Sequence, residues 1–319
     1  MPDTERYRQL EPPGAETRSK HQMDRYRQII PDFERFQKTI DRPLGRTARV
    51  NRLKSTREEA VEAAKSAGIM LEPLDWNDDA FYVDEGNRKL GNSLPYYLGH
   101  LHIQEEVSML PTLVLDPEMD DDVLDLCAAP GNKTTQLSEL ASEGTVTAND
   151  DDIGRIAALR NNTDRLGTTN VAVTNVDGRR FPGRERFDSV LVDAPCSSEG
   201  TCRKNPDMRD GATLETVEAV QGVQKGLLKR GLGLLKPGGE LVYSTCTFAP
   251  EENEEVVDHV LDGVDGNYEL LDPELPIGSV NGVTEWRDRC YSKELEKTSR
   301  IYPHLNDTGG FYVARIKKW

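Results

Sequence analysis

Cysteine is scarce in this chain: Cys127, Cys196, Cys202, Cys246 and Cys290 are the five among 319 residues. The number is odd and no pair has zinc-ligand spacing, so neither a disulfide framework nor a structural metal is expected. Free thiols point to a reducing compartment and leave one or two available for chemistry. Long apolar runs are missing too. No stretch approaches the roughly 18 residues a membrane span needs, and no signal-type run opens the chain. A soluble, cytoplasmic protein with no membrane or metal partner is expected, and a monomer is assumed. Internal repeats and low-complexity tracts are absent. Positive charge is in deficit: 40 Lys and Arg face 56 Asp and Glu, a formal net charge of -16. Phosphate contacts dominate nucleic-acid affinity, so this deficit argues against a polyanionic substrate unless a basic site is kept within an acidic surface.

Acidic clusters such as Asp120-Asp121-Asp122 and Asp150-Asp151-Asp152 resemble those of proteins from salt-loving archaea. In molar salt the Debye length falls to about 3 Å, so net repulsion matters little and short-range contacts decide binding.

Three regions are expected. Residues 1–20 are polar, contain Pro12-Pro13-Gly14 and read as a loose arm. Residues 21–110 read as a small α+β unit: a helix over 22–40, a strand from Ala48 to Leu53, a helix from Thr56 to Ala67, and strands from Ile69 to Leu74 and Ala80 to Val83. Its run of arginines, Arg49 and Arg52 among them, is either a solvated face or an RNA contact. From residue 111 to 319 the pattern becomes α/β. Short apolar runs at Val123–Cys127, Thr145–Ala148, Val171–Val173, Ser189–Val192 and Glu240–Ser244 alternate with helices near Lys133, over Ile153–Leu166, Leu214–Leu235 and Glu251–Leu261. Phe311–Ile316 reads as a last strand. This alternation predicts a parallel, doubly wound sheet.

Asp125-Leu126-Cys127-Ala128-Ala129-Pro130-Gly131-Asn132-Lys133-Thr134 joins the first of these strands to its helix. Small residues let the backbone approach a ligand, and a helix N-terminus favours an anion. The loop is neither a Walker motif nor a G-x-G-x-x-G fingerprint. Asp150 and Asp177 follow the next two strands, where carboxylates can accept from ribose hydroxyls and an adenine amine. A loop and two acids at successive strand ends suit an adenosyl ligand.

Asp193-Ala194-Pro195-Cys196 ends the fourth strand and Ser244-Thr245-Cys246-Thr247 the fifth. The carboxyl ends of strands in an open α/β sheet line one crevice, so both thiols and Asp193 should share a pocket with the adenosyl ligand. A lone cysteine is usually a small buried hydrophobe, which is the reading for Cys127, Cys202 and Cys290. Two at adjacent strand ends suit nucleophilic catalysis on an unreactive carbon. A thiolate adding to carbon 6 of cytosine makes carbon 5 an enamine carbon able to attack a methyl sulfonium. A carboxyl group near the base can stabilise that adduct, and a second thiol can assist release.

These blocks resemble the Nol/Nop/Sun family of RNA cytosine-5 methyltransferases, from about Arg49 to the C-terminus. Gln104-Glu105 with Ser108 and Pro111, the loop 125–134, the PC block continuing to Gly200-Thr201-Cys202-Arg203-Lys204-Asn205-Pro206, the TC block running to Glu251-Glu252-Asn253-Glu254, and Pro303-His304 with Thr308-Gly309-Gly310-Phe311 occur in the family's order. Asn132 departs from the Gly the family commonly has. The resemblance implies an S-adenosyl-L-methionine-dependent, Rossmann-like sheet with an antiparallel last strand, preceded by a small RNA-binding unit. It implies Cys246 as nucleophile with Cys196 assisting release. It places Lys133, Asp150, Arg155, Asp177 and Asp193 around cofactor and base, beside the loop residues Cys127 to Asn132. Arg203 and Lys204 are candidates for flanking phosphates. The layout is similar to compact archaeal members thought to act on tRNA. Ribosomal RNA as substrate, a non-catalytic RNA-binding factor, a DNA cytosine-5 methyltransferase and a nicotinamide dehydrogenase are the alternatives.

Overall fold

The computed structural model describes residues 22–319. The arm expected over 1–20 lies outside them.

The helix expected over 22–40 is two pieces, a 3-10 turn Gln22–Tyr26 and helix α1 (Phe33–Ile40). Pro31 cannot continue a helix, and Asp32 restarts it at φ 44°, accepting a hydrogen bond from the Arg35 N–H at 3.3 Å. The expected strands then appear with shifted ends: β1 (Thr47–Val50), β2 (Met70–Leu74) and β3 (Asn77–Asp84). Helix α2 (Arg57–Ser66) starts at a Thr56–Glu59 capping box, worth about 1 kcal/mol. A short helix α3 (Leu94–Tyr97) and strand β4 (Leu101–Ile103) had no sequence signal strong enough to find. These strands form an antiparallel sheet in the order β2-β3-β1-β4 around Val50, Ile69, Phe81 and Leu101. Helix α1 packs elsewhere: Phe36 lies edge-on to Phe248 at 5.3 Å and to Tyr302 at 6.4 Å, at the far end of the larger sheet.

After α4 (Leu110–Leu115), the alternation holds: β5 (Asp122–Asp125), α5 (Asn132–Leu140), β6 (Thr145–Asn149), α6 (Ile153–Leu166), β7 (Val171–Thr174), β8 (Phe187–Asp193), α7 (Leu214–Leu234) and β9 (Leu235–Thr245). Val190, Leu191 and Val192 of β8 are all buried, which is why that strand reads as a continuous apolar run. The Lys236–Gly239 breaker falls inside β9, where its pairing with β8 shifts register. Helix α8 (Glu254–Asp262) begins later than expected, because Thr245 and Thr247 engage the Asn253 side chain and hold 247–253 as a turn. The chain ends with β10 (Tyr268–Leu271), β11 (Val280–Asn281), a hairpin of β12 (Glu285–Trp286) and β13 (Arg289–Cys290), β14 (Ser299–Ile301), α9 (Pro303–Asn306) and β15 (Phe311–Lys318).

The large sheet runs β11-β14-β15-β9-β8-β5-β6-β7, with β10 on β15. Strands β5 to β9 are parallel, and β15 is antiparallel to β9. The chain leaves β5 toward β6 and β7, then returns to the other side of β5 with β8. The crevice at the carboxyl ends of β5 and β8 is therefore the expected ligand position. Among the described residues no helix is long and apolar enough to cross a membrane.

Candidate active site

Residues 126–131 cross the head of β5 and lead into α5. Gly131 sits at φ 101°, where a Cβ would come within 2.9 Å of Leu159 Cδ1, so a side chain is excluded on both backbone and packing grounds. The Asn149 amide donates to the carbonyls of Leu126 at 3.1 Å and Val176 at 3.0 Å, fixing two loops from the end of β6. Asp150, buried, accepts from the N–H groups of Ala129 at 3.1 Å and Asp152 at 3.0 Å. Arg155, exposed, reaches back to the Ala129 carbonyl and stands 3.5 Å from Asp150. Asp177 caps the turn Gly178–Arg180 and pairs with Arg179 at 2.7 Å, a hydrogen bond that holds its carboxyl below the usual range. At the floor, burial pushes Asp125 up to about 7 although Thr134 donates to one of its oxygens at 2.7 Å; the other oxygen has no partner among the described residues.

This set fits an adenosyl-methionine ligand. The cradle is closed to side chains at Gly131, nine-residue α5 presents its N-terminus, carboxylates lie at two successive strand ends, and a buried carboxyl oxygen is left unpartnered. Cys127, Ala128, Ala129, Pro130, Gly131, Asn132 and Lys133 form its wall. Burial pushes the Cys127 thiol well up.

Lys133 leaves the first turn of α5 and crosses to the second half of the crevice. Its ammonium donates to Asp193 at 2.7 Å and to Ser108 at 3.0 Å. Burial opposes its charge, but Asp193 beside it outweighs that and raises the pKa. Ser244 donates to the other Asp193 oxygen at 2.8 Å, so both carboxylate oxygens are oriented.

The two strand-end cysteines meet: the Sγ atoms of Cys196 and Cys246 are 3.4 Å apart. The hydrogen bond with Cys246, together with burial, pushes the Cys196 thiol well above its ordinary value. The loops carrying the thiols are stitched together. Gly200 N–H donates to the Cys246 carbonyl at 2.8 Å, and Gly310 N–H to the Gly200 carbonyl at 2.9 Å. Beneath them Glu252 accepts from Ser197 N–H and Gln224 Nε2, both at 2.9 Å, and from the Ser197 hydroxyl. Burial pushes Glu252 up to about 7 despite these donors. Glu199, also buried and raised by burial, accepts from Tyr26 at 2.6 Å and Thr247 at 3.1 Å. A fully buried Arg300–Glu254 ion pair closes the underside.

Sequence reading missed Glu199, Ser197, Thr247 and Glu252 as site supports. Each stands next to or within a cysteine block, but nothing local shows which of several acids turns inward. His102 and Ser108 carried no chemical signal of their own. Two expected RNA contacts are corrected. Arg49 is buried and binds Gln104, Thr135 and Glu139. Arg203 is buried and donates to the carbonyls of Arg42, Pro43 and Thr308 while pairing with Asp307 at 2.7 Å. Their guanidiniums tie segments together, because each is surrounded by acceptors distant in sequence. Arg52 and Lys204 remain exposed, beside Asp79 and Glu105 respectively.

Comparison with known proteins agrees with this geometry. Residues 112–317 match the family of 16S rRNA methyltransferases RsmB/F, and residues 20–106 match the N-terminal domain of the 16S rRNA methyltransferase RsmF. The chain is 40% identical over 303 residues to the tRNA (cytosine(49)-C(5))-methyltransferase of Pyrococcus abyssi, covering 94% of this chain and 96% of that protein. It is 39% identical over 306 residues to the ribosomal RNA small subunit methyltransferase F of Vibrio parahaemolyticus, covering 93% of this chain but only 62% of the longer relative. A crystal structure of a methyltransferase homolog from Pyrococcus horikoshii superimposes with a TM-score of 0.80 at 34% identity, over 93% of this chain and 94% of that one. The chain belongs to the RsmB/RsmF family of RNA cytosine-5 methyltransferases, whose methyl donor is S-adenosyl-L-methionine.

Proposed function

We propose that the chain methylates carbon 5 of a cytosine in tRNA, with Cys246 as the nucleophile. The observation that carries the reading is the 3.4 Å contact between two thiols at adjacent strand ends, beside an oriented carboxylate. S-adenosyl-L-methionine, when bound, supplies an electrophilic methyl group; Gly131, Asp150, Asp177 and the N-terminus of α5 would hold it.

The Cys246 thiolate adds to carbon 6, and the electron pair of the 5,6 double bond becomes available at carbon 5. Asp193, held by Lys133 and Ser244, is aimed by those donors to face the N3 edge of the base and accept from its exocyclic amine. After carbon 5 has been methylated its proton is removed, the sulfur–carbon 6 bond breaks, and the double bond returns. The Cys196 thiol donates its hydrogen bond to the departing Cys246 sulfur. The base must leave its stack for this, so the target lies in a loop, junction or locally opened helix. Arg52 and Lys204 are the remaining expected phosphate contacts.

The 40% identity to the Pyrococcus abyssi relative, over nearly all of both chains, supports tRNA as the substrate. Free cysteines support a reducing, cytoplasmic setting, and one chain supplies the whole constellation, which suits a monomer. The division into a 21–110 RNA-binding unit and a 111–319 catalytic part is supported by the two separate sheets only from β1 onward, since residues 23–40 pack on the catalytic part. The acidic balance supports a high-salt source.

The test is incubation with unmodified tRNA transcripts and isotopically labelled S-adenosyl-L-methionine in molar potassium chloride, followed by nucleoside analysis. Labelled 5-methylcytidine from tRNA is expected. Label appearing only in small-subunit ribosomal RNA would overturn the choice of substrate. Full activity in Cys246→Ala, with loss in Cys196→Ala, would reverse the roles of the thiols.

A further inference from the structure

The smaller sheet carries a surface feature that the catalytic reading leaves unused. Leu94, Tyr97 and Leu98 lie at i, i+3 and i+4 on α3 and its C-terminal residue, and all three are exposed, at 67%, 63% and 47%. Such spacing makes one helical face, and nothing among the described residues covers it. Two cations adjoin this face. The Lys54 ammonium reaches the carbonyls of Leu98 at 3.3 Å and Arg165 at 2.7 Å. The Arg165 guanidinium lies 3.9 Å from the centre of the Tyr96 ring and donates to the Tyr96 carbonyl at 2.8 Å. Neither cation pairs with a carboxylate among the described residues, on a protein whose net charge is -16.

The face is also connected to the cofactor loop. Arg165 Nη2 meets His102 Nδ1 at 2.8 Å, and His102 Nε2 meets Asn132 Oδ1 at 3.0 Å. A guanidinium can only donate, so Nδ1 is the acceptor and Nε2 carries the hydrogen that goes to Asn132. Two hydrogen bonds therefore fix the patch relative to the loop that begins α5, and from there Lys133 reaches Asp193.

We propose that the Leu94–Tyr97–Leu98 face, with Lys54 at its edge and Arg165 bracing it from beneath, is a docking platform for the substrate RNA, on which an unpaired base stacks against Tyr97 while Lys54 holds a flanking phosphate. An exposed ring beside a fixed cation is the chemistry of single-strand binding, since every base has a face to stack and every nucleotide a charge to neutralise. A protein partner fits less well. Stable protein interfaces bury about 800 Å² on each partner, and three side chains on one helical turn fall well short of that. The proposal rests on RNA as the substrate but not on which RNA.

The test is direct binding of unmodified tRNA and small-subunit ribosomal RNA transcripts, together with KM and kcat, for Tyr97→Ala, Tyr97→Trp and Lys54→Ala. Tyr97→Ala is expected to weaken RNA binding and raise KM about tenfold, the effect of losing one base stack, with kcat and S-adenosyl-L-methionine affinity unchanged. Tyr97→Trp should restore binding. Lys54→Ala should lower the slope of log affinity against log salt by about 0.7 to 0.9. Wild-type affinity in Tyr97→Ala would overturn the platform while leaving the methyltransferase reading intact. So would a change in sedimentation, which would make the face a self-association surface. If the wild-type protein bound neither RNA, both readings would fall together.

Discussion

The two halves of the crevice are built from different materials. Around the cofactor loop the geometry is made by backbone: Asp150 and Asn149 bind loop N–H and carbonyl groups, and Gly131 gives up its side chain to let strand, loop and α6 close. Around the cysteines it is made by buried side chains. Glu199 and Glu252 gather hydroxyls, an amide and a backbone N–H beneath two loops that would otherwise be independent. The contrast follows from what each half must do. A carboxylate-bearing ligand is best met by a helix end and bare backbone, which need no proton bookkeeping. Two thiols held 3.4 Å apart on separate loops need a rigid, hydrogen-bonded bed of side chains.

The contrast is sharpest in what substitutions should do. Cys246→Ala should abolish 5-methylcytidine formation while leaving S-adenosyl-L-methionine binding untouched, as titration calorimetry would show; loss of both would mean the halves are not separable. Arg300→Met leaves the buried Glu254 carboxylate without its partner and should cost about 3–5 kcal/mol in denaturant unfolding, with the cysteine half failing first. Gly131→Ala imposes both a left-handed residue and a clash with Leu159, so a loss of about 1–2 kcal/mol is expected, accompanied by weaker cofactor binding and unchanged RNA affinity.

Acidity tests the side-chain bed directly. Glu252 has its folded-state pKa raised, from an ordinary 4.5 to about 7, so the folded protein binds a proton here that the unfolded chain has already released. Its contribution is therefore most favourable below about 4.5 and declines as pH rises toward 7, the reverse of a salt-bridged carboxylate. Glu252→Gln should reduce the fall in melting temperature between pH 5 and pH 7.5. An undiminished fall would assign that dependence to Asp125, in the cofactor half. The smallest effects come from neighbours that the sequence treats alike. Arg203→Ala removes a buried staple and should cost about 2 kcal/mol, measured by thermal unfolding, without altering the salt dependence of RNA binding. Lys204→Ala, exposed and 3.9 Å from Glu105, should change stability by less than about 0.5 kcal/mol.

Much of the site was legible in the chain because its chemistry is written in short blocks. The strands β5, β6, β8 and β9 announce themselves as apolar runs; Asp150 and Cys246 directly follow β6 and β9, Asp193 ends β8, and Cys196 stands three residues beyond it. Strand ends in a parallel sheet share an edge, so their convergence follows from alternation alone. Charge was misleading where burial decides its use. Arg49 and Arg203 look the same in sequence as Arg52 and Lys204, yet the first two are interior cross-links. Helix periodicity over 22–40 ran through Pro31, and the segment's partners, Phe248, Trp286 and Tyr302, lie more than 200 residues away.

By itself, then, the sequence determined the alternating fold and the meeting of the loop 125–134 and two cysteines at one edge of the sheet, because those depend on local periodicity and on residues near strand ends. Only the tertiary structure decided which carboxylates lie beneath the cysteines, which arginines are spent inside, and that His102 links Arg165 to Asn132. Those contacts join residues dozens to hundreds of positions apart. Their strength comes from a burial that no local window of the chain can reveal.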